Sequence, residues 1–244
     1  MLLTLAIILS STRRRMYMPF FEKMKKEYEN IDLDSIFSLL SETPSLEDLS
    51  EEKLIEYVKE NHETYIDPSN ALKSEEAQTY EAVQNIKDGA QFSYDQTMLG
   101  WELLSKHIEA MTEQEMQLLC TKDAAKIGAY FSDIENAKNF MAGTNFEHFY
   151  QEINVTDIFL QESHNCVVTL YGKCQYEEAF AACCFMLRLF PSLPEFWFAH
   201  GNILWQQGKI ENALVSYEIA HSLDDMSPLY PLYMAYCYLH TKEP

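Results

Sequence analysis

Residues 196–223 read FWFAHGNILWQQGKIENALVSYEIAHSL, and this stretch decides the fold. Large residues (Trp197, Leu204, Tyr217) alternate with small ones (Gly201, Ala213, Ala220) at helical spacing, on either side of Gly208. Small residues let two antiparallel helices approach closely, the large ones fill the space between them, and a glycine permits the tight turn that joins them. The stretch is therefore expected to be a helix–turn–helix pair.

The same pattern lies upstream. YEEAFAACCFMLRLFP (176–191) aligns with IENALVSYEIAHSLDD (210–225): Tyr176 falls on Ile210, Ala179 on Ala213, Cys183 on Tyr217 and Leu189 on Leu223, each at an offset of 34 residues. A period of that length, with Trp197, Gly201, Leu204, Gly208, Ala213, Tyr217 and Ala220 in place, fits the tetratricopeptide pattern. His200 stands where leucine is usual, and Val167 and Met186 stand where small residues are expected. Such pairs cannot bury their apolar faces alone and must stack on neighbours. Three units are expected within a repeat region spanning 151–244. The first is 160–193, with helices near 160–173 and 176–189. The second is 194–227, with helices near 194–207 and 210–223. The third is partial, 228–244, with one helix near 228–241. The fold class is all-α, a helix-turn-helix solenoid preceded by an additional helical region.

Further outward the signal thins. EEAQTYEAVQNIKDGAQ predicts a helix ending near Gly89, and SYDQTMLGWELLSKHIEAM a second, with Met98, Trp101, Leu104 and Ile108 on one face. Thr112 and Glu115 have the spacing of a capping box and predict a helix start at Thr112. Shorter helices are expected at 133–141 and 146–153, so 76–150 reads as helical. Residues 27–80 carry 15 acids and 3 lysines. With turn-rich stretches at 43–52 and 61–76, residues 16–75 read as loosely packed helices in an acidic, solvated region; Leu49, Leu54, Ile55 and Val58 mark one of them. At the N-terminus, Leu2–Leu9 is too short to span a bilayer, and Arg13–Arg15 follow the apolar run where a signal peptide has its charge before it. Residues 1–15 are read as lying outside the fold.

Composition removes several function classes. Eighteen Lys and Arg against 38 Asp and Glu give a net charge of −20, which argues against a nucleic-acid binder because phosphate recognition needs concentrated positive charge. No stable membrane insertion is expected. The six cysteines, Cys120, Cys166, Cys174, Cys183, Cys184 and Cys237, form no C-x-x-C or Cys/His ligand spacing and read as free thiols of a reducing, cytoplasmic compartment. The seven histidines form no H-E-x-x-H, and no phosphate loop or G-x-S-x-G elbow occurs. Neither enzyme chemistry nor a cofactor is expected.

Residues 145–244 resemble the class II translocator chaperones of bacterial type III secretion (the SycD/LcrH type). The resemblance is carried by LYGKCQYEEA (170–179), by 196–223, by DDMSPLYPLYMAYCYL (224–239) and by the lead-in NFEHFYQEINVTDIFLQE (145–162). It covers about 100 of the 244 residues. It implies a bacterial cytoplasmic, all-helical chaperone or adaptor that holds a hydrophobic protein client in the concave groove of its repeats, and it implies a homodimer. The first helix of each pair lines that groove in such a solenoid, which selects Val168 and Tyr171, then Phe198, Asn202 and Trp205, then Leu232, Tyr236 and Leu239. Apolar and aromatic side chains there suit an apolar peptide, and Asn202 suits its backbone amides. The competing readings are a core role for this face, a structural scaffold in a permanent assembly, and a hydrolase within 76–150.

Overall fold

The computed structural model describes residues 50–67, 73–133, 136, 149 and 152–241, all within the unit Ile36–Pro244. Every regular element among them is a helix: α1 Glu51–Glu60, α2 His62–Tyr65, α3 Glu75–Glu109, α4 Gln114–Ser132, α5 Asp157–Gly172, α6 Tyr176–Leu189, α7 Pro194–Gln206, α8 Ile210–Leu223 and α9 Leu229–Thr241. The fold is all-α. Leu49, residues 1–15 and most of the short helices expected at 133–141 and 146–153 fall outside the described residues.

The 34-residue period of the sequence returns as geometry. α5 and α6 are joined by residues 173–175, and α7 and α8 by 207–209. In the first turn the Gln175 N–H donates to the Leu170 carbonyl at 3.0 Å, and in the second the Lys209 N–H donates to Leu204 at 3.0 Å. Each turn has one residue in the left-handed region, Cys174 (φ 61°) and Gly208 (φ 77°). The long-range contacts step along in the same way. His164 packs edge-on against Phe196 (5.7 Å), and Phe198 packs on Tyr230 (5.5 Å). The Tyr171 phenol interacts with the Gln206 side chain, and the Trp205 ring meets His240 at 5.1 Å. Both members of each contact are 34 residues from their counterparts.

Pairing within α7–α8 is antiparallel and tight. His200 Nδ1 lies 2.9 Å from Ser216 Oγ, and the Tyr217 hydroxyl donates to Asn202 Oδ1 at 3.1 Å. A Cβ at Gly201 would come within 2.7 Å of Tyr217 Cδ1, and Tyr217 is fully buried. Val167 and Cys183 stand at the positions of Gly201 and Tyr217 in the first pair, both buried. A larger residue on the first helix is thus matched by a smaller one on the second, which explains why Val167 departs from the small-residue pattern.

Cys174 is the one described non-glycine residue with positive φ. An L-residue in that region costs about 1–2 kcal/mol, part of which glycine gives back through its greater freedom in the unfolded chain. Cys174→Gly is therefore expected to raise unfolding free energy by about 0.5–1 kcal/mol, and Gly208→Ala to lower it by a similar amount. Urea melts of the two variants check this; a loss of stability in Cys174→Gly contradicts the turn geometry.

Two sequence-based expectations are corrected. Glu75–Glu109 is one continuous helix, so no break occurs near Gly89. The cost of about 1 kcal/mol for a mid-helix glycine is outweighed by what the continuous helix packs against. Phe92 reaches Phe180 (6.5 Å), Trp101 reaches Phe185 (5.5 Å), and Leu104 and Ile108 are buried. Met98, on the same face by spacing, is exposed. The capping box at Thr112 does not form: α4 begins at Gln114 after Glu113, with no side-chain cap. The Gln117 amide instead donates to the carbonyls of Ile108 and Glu109, at 3.1 and 2.9 Å, which satisfies the end of α3 in place of the start of α4.

α5 begins three residues earlier than its periodicity predicts because Thr156 is held from two sides. Its side-chain oxygen accepts from the Phe159 N–H at 3.2 Å. Its own N–H and hydroxyl both donate to Asp123 Oδ2 on α4, at 2.7 Å each. Near the N-terminal end of the described chain, Leu54, Val58, Ile66, Ala82 and Val83 form a separate apolar cluster that fastens α1 to α3.

Candidate interaction surface

The eight residues selected from the sequence sort by depth. On α5, Val168 and Tyr171 are half-buried. The Tyr171 ring lies 5.5 Å from Tyr176; burial pushes its phenol up, and the interaction with Gln206 works against that shift. On α7, Phe198 is half-buried among Tyr217, Tyr230 and Tyr233, at 5.7, 5.5 and 5.0 Å. The Asn202 carbonyl oxygen is engaged by Tyr217, and Trp205 lies edge-on to His240. On α9, Leu232, Tyr236 and Leu239 are exposed, by 48%, 46% and 72%.

Phe198 and Trp205 thus form the floor where α7 meets α9, and the open part of the face lies on α9. Leu232, Tyr236 and Leu239 are spaced i, i+4, i+7 and share one side of that helix. Tyr233 ties floor to stripe, with its ring 5.4 Å from Tyr217 and 6.2 Å from Tyr236. Sequence reasoning missed Tyr230, Tyr233 and His240. For Tyr230 and His240 the signal was the 34-residue offset from Phe196 and Gln206, visible only once the partners of those residues are known; Tyr233, offset from Ala199, had none.

The composition of α9 is unusual for this chain. LYPLYMAYCYLHT contains no Asp, Glu, Lys or Arg, although the whole chain carries a net charge of −20. An uncharged helix with one side in solvent offers a partner apolar area without desolvating an ion. Chemically the surface can bind by burial of rings and aliphatic groups and by tyrosine hydroxyls. The thiol of Cys237 on the same helix is buried, and burial raises it, which disfavours the reactive thiolate.

Among the described residues no group of three or more His, Cys, Asp or Glu side chains gathers where a metal ion could be held. No described helix is long and apolar enough to cross a membrane. Comparison of the chain with protein-family models, with characterised proteins and with solved structures finds no match.

Proposed function

We propose that this protein is a cytoplasmic chaperone or adaptor of bacterial type III secretion, which keeps an apolar segment of a client protein covered on the face formed by α5, α7 and α9. The observation that carries the reading is the exposed stripe Leu232–Tyr236–Leu239 on an uncharged helix, set against the ring floor of Phe198 and Trp205. The tetratricopeptide-like spacing and the resemblance of residues 145–244 to translocator chaperones supply the class of client. A peptide laid on this face buries the stripe first, because the α7 residues are already occupied by contacts within the chain.

The test is fluorescence anisotropy with labelled 20-residue peptides rich in Leu and Val. Tyr236→Ala combined with Leu239→Ala is expected to weaken binding by about thirtyfold, the loss of about 2 kcal/mol typical of an aromatic interface anchor. Helix content should hold, since both side chains are exposed. Trp205→Ala, in contrast, is expected to lower stability as well as binding because its ring packs on His240. Unchanged affinity in the double variant overturns the reading. A permanent structural assembly would use the same stripe, and the two differ in exchange: a chaperone releases labelled peptide to an unlabelled competitor, whereas a scaffold does not.

A further inference from the structure

We draw no further inference here: the strongest candidate, the surface patch where the exposed Phe92 of α3 meets Phe180 of α6 beneath the Lys209 ammonium, is an apolar face with nothing in the structure to show what covers it.

Discussion

Gly100→Ala is expected to push α3 away from α6 and to cost on the order of 3 kcal/mol. At Gly100 an added Cβ would overlap the carbonyl oxygen of Ala181 and would lie 2.6 Å from Phe185 Cβ and 2.9 Å from the Ala181 carbonyl carbon. These are backbone and near-backbone atoms of a helix, so no rotamer change makes room. The helices must separate, which loosens the Trp101–Phe185 ring contact and the bond from Arg188 to Ser93. Overpacking of a core commonly costs about 1–3 kcal/mol, more where backbone must move, against a total stability of about 5–15 kcal/mol for a domain. The same helix supplies a control. A Cβ at Gly89 meets nothing within 4 Å, so Gly89→Ala should gain about 0.5–1 kcal/mol from helix propensity alone. Opposite shifts in the urea midpoint are the expected result; shifts of the same sign would show that α3 does not lie on α6 as described.

The contrast between these two glycines shows what the sequence could convey. Gly89 looked like a helix end and Gly100 carried no signal, because a local reading prices a glycine by propensity and cannot see the helix on which it lands. Within 157–241 most helix limits were legible. α6 and α8 run over 176–189 and 210–223 as the period predicts, because that period encodes both the turn and the packing partner. Where partners are distant in sequence, legibility failed. Thr112 has the spacing of a cap, but Gln117 meets the competing demand from the carbonyls of α3. The candidate surface was legible as a set of positions, not as a depth profile. Phe198, Trp205, Tyr236 and Leu239 share a periodic position type, yet the first two are enclosed by Tyr233 and His240 on the following helix while the last two are exposed.

Two half-buried histidines should make the fold fail early in acid. His164 packs edge-on against Phe196. His200 is enclosed by Phe180 at 5.2 Å and Trp197 at 6.1 Å, with Nδ1 2.9 Å from Ser216 Oγ. Since the Ser216 hydroxyl donates to the Asn212 carbonyl at 3.0 Å, the serine oxygen is left to accept, and the neutral imidazole donates through Nδ1. Burial lowers both histidines to about 4, and for His200 the charge of Lys209 adds to the effect. The unfolded chain titrates near 6.5. Between these values the unfolded state binds more protons than the folded one. The histidine contribution is therefore fully present above pH 6.5 and is lost as pH falls toward 4. The slope reaches about 1.4 kcal/mol per pH unit for each group. Both rings keep part of their surface in solvent, which lets water screen the charge and reduces the slope. A loss of about 2 kcal/mol for the pair between pH 6.5 and 5 is expected, in a window above the ordinary carboxylate range. His164→Gln with His200→Gln, an uncharged pair able to hydrogen-bond, should flatten the stability profile across that window while lowering stability at pH 7. An equal acid slope in the wild type and the double variant would mean that neither ring is held neutral by the packing of α5 and α7.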